Sequence, residues 1–214
     1  MSRIIIALLL ILIPAVMQAQ DLYQLPANEY SAGIGLAFAE NSTTISCAFE
    51  YGILPALEGS LGAGLEFAQE SDPEISVPPA PIFAVKISST KPLGRTGLRY
   101  LTATSFTVEF AKIIHEYTDE EVKVRGMYLS VGLGITKPIN LESSFTLAPF
   151  VAIANTNAWV ILEAPGFKKK DSDNAFSGQI GLDVGVSPDV DLIGSIIFSF
   201  EESDMAYSIY LSFH

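Results

Sequence analysis

Tyr30-Ser31-Ala32-Gly33-Ile34-Gly35-Leu36-Ala37-Phe38 alternates without a break, with Tyr30, Ala32, Ile34, Leu36 and Phe38 in one phase and Ser31, Gly33, Gly35 and Ala37 in the other. A period of two belongs to a strand, because successive side chains leave the backbone on opposite faces. The composition of the two faces decides the fold. A soluble sheet fills its solvent face with Lys, Glu, Thr and Asp. Here the polar face is glycine, serine and alanine, and its partner is large, apolar and aromatic. Small residues suit a crowded concave interior and large apolar ones suit hydrocarbon, the apolar-out and polar-in pattern of a lipid-facing barrel strand.

The pattern recurs along the chain. Ile45, Cys47, Phe49 and Tyr51 oppose Thr44, Ser46, Ala48 and Glu50, and Leu61, Ala63, Leu65 and Phe67 oppose Ser60, Gly62, Gly64 and Glu66. Similar runs centre on Val85, Phe106, Leu129, Val151, Leu182, Ile196 and Ile209. The spacing predicts an all-β, transmembrane up-and-down antiparallel barrel of about ten strands, with eight as the variant count. A soluble β-sandwich is the alternative architecture for the same alternation. Four prolines punctuate it, in Leu54-Pro55-Ala56-Leu57, Lys91-Pro92-Leu93-Gly94, Lys137-Pro138-Ile139-Asn140 and Ser187-Pro188-Asp189-Val190. Proline fixes φ and donates no hydrogen bond, so each marks a tight turn. With the N-terminus inside, these turns fall at the inner end and the five other connections at the outer surface. Most acidic residues fall in those outer connections, including Glu70, Asp72 and Glu74, the run Asp119-Glu120-Glu121, and Glu201-Glu202-Ser203-Asp204. The segment 155–175, with Trp159 and Lys168-Lys169-Lys170, is expected to be the longest loop.

Ser2-Arg3, the apolar run from Ile4 to Val16 and the small Ala19 read as a secretory signal peptide over residues 1–19, leaving 20–214 as a single barrel domain. The apolar run is shorter than the ~20 residues a spanning helix needs. With 49% hydrophobic and 17% charged residues, the chain is more apolar than an average soluble domain, which carries ~25% charge. Removing Arg3 with the leader leaves 11 basic against 24 acidic residues, a balance of −13. Nucleic-acid binding needs a basic footprint and is excluded on that charge. The single Cys47 offers no internal disulfide and reads as a small apolar strand residue.

Two groups of side chains are candidates for function. Glu50, Glu66, Lys86, Arg99, Glu109 and Asp183 fall on the small-residue phase and predict a charge network in the lumen. Strand direction puts Glu50, Lys86, Arg99 and Asp183 in its inner half. A salt-bridged plug is the expectation, since small barrels are filled by side chains, and a narrow path for small solutes is the alternative. Lys112, Lys123 and Arg125 fall on the outward phase at the outer ends of hairpin neighbours, with Lys168, Lys169 and Lys170 in the large outer loop. These six are candidates for contact with lipopolysaccharide phosphates. The bland reading is that they are solvated or snorkelling rim residues. No enzyme is expected. His115 has no nucleophile placed beside it, and a lipid-modifying barrel enzyme is a distant alternative. No cofactor or metal is expected.

With these residues in hand, the chain resembles the small outer-membrane β-barrel proteins of Gram-negative bacteria, of the OmpA-domain, OmpX and OmpW kind. The last strand, Ala206-Tyr207-Ser208-Ile209-Tyr210-Leu211-Ser212-Phe213, resembles that family's terminal assembly signal, with His214 added after the usual final aromatic. Gln18-Ala19-Gln20 is similar to cleavage regions of Bacteroidota exported proteins. The resemblance implies a monomer in the bacterial outer membrane, with lipid, lipopolysaccharide and the barrel-assembly machinery as partners. Its role is expected to be structural or to lie in surface interaction through acidic loops.

Overall fold

The computed structural model describes residues 25–69, 75–115, 120–142, 145–201 and 205–214. The leader and the acidic residues Glu70, Asp72, Glu74, Glu116, Asp119, Glu202 and Asp204 lie outside the described residues. The strands are β1 (Tyr30–Ala39), β2 (Ser42–Leu54), β3 (Leu57–Ala68), β4 (Ile75–Ser76), β5 (Ala80–Pro92) and β6 (Arg99–His115). They continue as β7 (Glu120–Thr136), β8 (Ile139–Glu142), β9 (Phe145–Ala164), β10 (Phe167–Ser187), β11 (Val190–Ser199) and β12 (Met205–Phe213). Ten of them pair in sequence order as antiparallel staves. The cylinder closes where β1 meets β12, from Ala32 opposite Phe213 to Ala39 opposite Ala206. The short β4 adds to the outer end of β6, and β8 folds back on β9 at the inner end. Closure leaves every stave paired on both sides within the belt, which a lipid-immersed sheet requires.

The inverted faces are as the alternation predicts. Ile34, Leu61, Phe83, Val131, Ile153 and Ile209 stand exposed on the outside, while Ser31, Ser60, Ser130, Thr156 and Ser208 are buried inside. The strands are staggered. Following register partners from Ile34 through Cys47, Ala63, Phe83, Val108, Met127 and Trp159 reaches Ser172 on β10. Going the other way through Leu211 and Leu192 reaches Val184, twelve residues along the same strand. Spread over ten strands ~4.8 Å apart with a rise of ~3.3 Å per residue, that stagger tilts them by about 40°. Allowing for the tilt, Phe38, Phe83, Phe106, Phe176 and Tyr207, all exposed, share one height and form an outer aromatic belt. Tyr30 and Tyr51, exposed register partners, mark the inner edge.

Two expectations need correction. The segment 155–175 is not a loop. It is strand on both sides of a two-residue turn at Pro165-Gly166, so β9 and β10 run 20 and 21 residues. Gly166 supplies the positive φ of 74° that the turn needs. The alternation persists under the polar composition, with Ala158 and Val160 in the buried phase and Trp159 exposed. Of the proline turns, the first and fourth are two-residue hairpins, but Pro92 ends β5 ahead of a six-residue connection, 93–98, and Pro138 leads into β8. Phe150 is a large ring in the inward phase, buried between outward Pro149 and Val151.

β6, β7, β9 and β10 outrun their neighbours and stand above the outer belt as a four-stranded wall. At the other end, Leu25 to Glu29 crosses the inner mouth. The Leu25 N–H donates to Glu58 Oε1 at 2.9 Å, the Asn28 N–H to the Gly52 carbonyl at 2.8 Å, and Tyr51 Oη to Asn28 Oδ1 at 3.1 Å. Leu25 is buried there.

Candidate functional sites in the lumen and on the outer wall

Two places concentrate chemistry: the lumen and the outer wall. The lumen brings together most of the ionisable residues expected there. Glu50, Glu66, Lys86, Glu109 and Asp183 are all buried, and Arg99 is half-buried at the inner end. Lys86 Nζ reaches Glu50 Oε1 at 3.2 Å with both side chains only 4% exposed, and Ser31 Oγ donates to the other Glu50 oxygen at 3.4 Å. Higher up, Tyr128 Oη donates to Glu109 Oε2 at 3.2 Å, and Glu66 is buried on the same inward phase. The network is more acidic than the sequence suggested. Glu58 and Asp191 are also buried inward. Both lie directly after a proline turn, ahead of the first clear alternation of their strands, so the sequence reading leaves them unassigned. Extending the period-two phase by one step would have found them.

Large side chains fill the rest. Tyr210 occupies the space over Gly33 and Gly35, Phe150 that over Gly181, and Phe198 that over Gly178, so a Cβ at any of these glycines would collide with a ring. These glycines are lumen packing. A cavity bounded by Lys86, Ser105, Ser130 and Gln179 has a volume of about 30 Å³, room for one or two waters. Around it, Gln179 Nε2 donates to Ser195 Oγ at 2.9 Å, and Ser195 and Ser208 share a hydrogen bond of 2.7 Å. His214 is tied to the inner end of β11: its Nε2 lies 2.7 Å from Asp191 Oδ2, and its N–H donates to the Asp189 carbonyl.

The outer wall carries the second group. Lys112, Lys123 and Arg125 share the outward face of β6 and β7, and Lys112 and Lys123 are direct register partners. Like charges directly opposite destabilise a pair of strands. Glu121 sits between them, 3.2 Å from Lys112 and 3.8 Å from Lys123. Arg125 lies over the Phe110 ring at 5.5 Å from its centroid. The three lysines expected in a loop are instead divided by the pleat of β10. Lys168 joins the outward set and pairs with Glu163, whose carboxyl it holds below the usual range by hydrogen bond and charge. Lys169 takes the opposite phase, 3.2 Å from Asp171, and Lys170 returns to the outward phase, exposed. Below them Asn155, Asn157 and Asn174 interlock through their amides, starting from Asn155 directly opposite Phe176, a cluster that the loop reading concealed. The side chain of His115 lies outside the described residues, and among the described residues no group of three or more His, Cys, Asp and Glu is placed to hold a metal.

A closed ten-stranded cylinder with small polar residues inside, an apolar outer belt and aromatic edges defines an outer-membrane-type β-barrel protein. No protein-family model matches the chain, and no curated protein matches it. Among solved structures it is similar to the translocator domain of the autotransporter NalP from Neisseria meningitidis, at a TM-score of 0.54 and 8% identity over 86% of this chain and 85% of that one. That likeness is one of fold. Looser matches include the N-terminal β-barrel domain of Pseudomonas aeruginosa OprF (TM-score 0.42, 8% identity, 88% and 98% covered) and LpxR from Salmonella typhimurium (TM-score 0.46, 8% identity, 86% and 99% covered).

Proposed function

We propose that this barrel works through its outer surface and not through its lumen, as a structural and surface-interaction protein of the bacterial outer membrane. The observation that carries the reading is the contrast between the two ends of the same strands. The lumen is packed by rings and pinned by the buried Lys86–Glu50 pair, whereas β6, β7, β9 and β10 continue outward beyond the belt. Strands that long are needed for surface display, not for spanning, which takes ~9–11 residues. Acidic outer loops would add to the display. In this reading the chain is exported by its signal peptide and recognised for assembly through β12. It then acts as a monomer without cofactor or catalytic activity, against outer-leaflet lipid and lipopolysaccharide.

The test has two stages. The mature chain, refolded in detergent, is run on a gel with and without boiling; a heat-dependent shift with a β circular-dichroism spectrum is expected. The folded protein is then placed in a planar bilayer, where no regular conductance step is expected. A reproducible single-channel step would overturn the closed-lumen reading in favour of a narrow solute path.

A further inference from the structure

We propose that the outward cleft between the 78–81 segment and the β6–β7–β9 wall is a seat for the phosphorylated headgroup of an outer-leaflet glycolipid. The inference rests on the outer-membrane reading and adds a site and a ligand chemistry to it. The cleft has a volume of about 260 Å³; Pro79, Pro81, Phe110 and Ile161 give it apolar walls, and its charged lining is Lys112, Lys123 and Arg125 with Glu163. That size lies just below the ~300–1,000 Å³ of small-molecule pockets, so it suits a headgroup and not a whole lipid.

Four observations converge on an anionic, amphipathic occupant from the membrane side. The first is direction: Phe110, Lys123 and Arg125 are exposed in the phase that faces lipid lower on the same strands. The second is height. At ~2.5 Å of vertical rise per residue on strands tilted by ~40°, Arg125, Lys112 and Lys123 stand about 10–15 Å above the outer aromatic belt, beyond the hydrocarbon and among headgroups. The third is charge. The chain as a whole carries −12, yet Lys112, Lys123, Arg125, Lys168 and Lys170 share this outward wall with only Glu121 and Glu163 among the described residues. Glu121 serves both Lys112 and Lys123, and Glu163 stands opposite Lys123 while pairing with Lys168, so among the described residues two carboxylates are shared by five cations and the wall keeps a positive excess. A phosphate set against Lys123 and Arg125 would relieve it, because charge-assisted hydrogen bonds to phosphate are the strong ones. The fourth is the floor. Phe110, Ile161 and the prolines offer an apolar surface beside the cations, and Phe110 already orients the Arg125 guanidinium. A free anion needs no such surface, whereas a sugar phosphate linked to acyl chains does.

The experiment compares the refolded wild type with Lys123→Gln/Arg125→Gln and with a control pair at the inner end, Lys91→Gln/Lys137→Gln. All are first checked for the heat-dependent gel shift, so that a failure of the barrel reading is seen separately and before any lipid is added. Binding of purified lipid A in detergent is then measured by native mass spectrometry, beside lipid A stripped of its phosphates and beside inorganic phosphate as competitor. Expected is wild-type and control binding of lipid A, weakened tenfold or more in Lys123→Gln/Arg125→Gln and by removal of the phosphates, and unmoved by millimolar phosphate. Equal binding by the folded double variant, or equal binding of stripped lipid, overturns the site. Full displacement by millimolar phosphate would make it a free-anion site and overturn the lipid assignment.

Discussion

Replacing Lys86 by methionine keeps the length of the side chain and removes one charge of the pair at the centre of the lumen. Lys86 and Glu50 are 3.2 Å apart and each only 4% exposed, which at an effective dielectric of ~20 corresponds to about 5 kcal/mol of attraction, before the cost of desolvating both charges is deducted. Removing the lysine leaves Glu50 with the long Ser31 hydroxyl contact of 3.4 Å and little else to offset its burial. Breaking a buried pair in this way costs roughly 3–5 kcal/mol. Lys86→Met is therefore expected to lose about 3 kcal/mol or more, and Glu50→Gln a comparable amount. The Glu50→Gln/Lys86→Met double variant, with neither charge of the pair left to bury, should fall within about 1–2 kcal/mol of the wild type. The assay is reversible urea unfolding in lipid vesicles, followed by the fluorescence of Trp159, the only tryptophan in the chain. Losses below about 1 kcal/mol in the single variants, or a double-variant loss equal to the sum of the two singles, would show that water reaches the pair and that the lumen is open at that height.

Three further outcomes follow from the same structure. Gly33→Val should clash with the Tyr210 ring across the closing seam and cost about 1–3 kcal/mol, and Gly33→Val/Tyr210→Ala should fold better than Gly33→Val alone. Gel-shift midpoints in urea measure both, and an unrescued double variant would refute the contact. His214→Ala should lower stability by about 1–3 kcal/mol, because the buried Asp191 carboxylate loses its partner; heat-shift midpoints no different from the wild type would count against the terminal clamp. Glu163 should titrate below the ordinary glutamate value of ~4.3. Because its folded pKa is lowered, its pairing with Lys168 is complete above the ordinary value and is lost as pH falls through the lowered one. Carboxyl carbon NMR of the folded protein reads the midpoint directly, and Lys168→Gln should return it toward the ordinary range.

The barrel was legible because its evidence is periodic. The alternation through Ile34, Leu61, Phe83, Leu133 and Ile209 needs no tertiary knowledge, since a pleat alone sorts those residues to one face. The lumen charges followed from the same phase, and Glu50 with Lys86 was found by it. What the alternation did not disclose is where a strand ends. Pro92 and Pro138 are compatible with a tight turn and equally with the last residue of a strand, so two turns were drawn too short. Asn155, Asn157, Lys168 and Asp171 are loop-like by composition, and composition concealed a period of two that Thr156, Ala158 and Val160 preserve. Contacts across the closing seam, such as Tyr210 over Gly33, depend on the register of β1 and β12, which no local pattern carries.

The twelve-residue stagger also decides where this chain can lengthen. An insertion within the belt would shift one stave against its neighbours, and a shift of one residue would exchange every inward and outward side chain beyond it. Residues added above the belt meet no such condition, as β9 and β10 show by running to 20 and 21 residues in a cylinder whose β1 has ten. Inheritance therefore acts on two unequal territories in one strand. The lower stretch is fixed in length by geometry and free to vary only in kind, while the upper stretch is free in length and supplies the raw material for new outer surfaces.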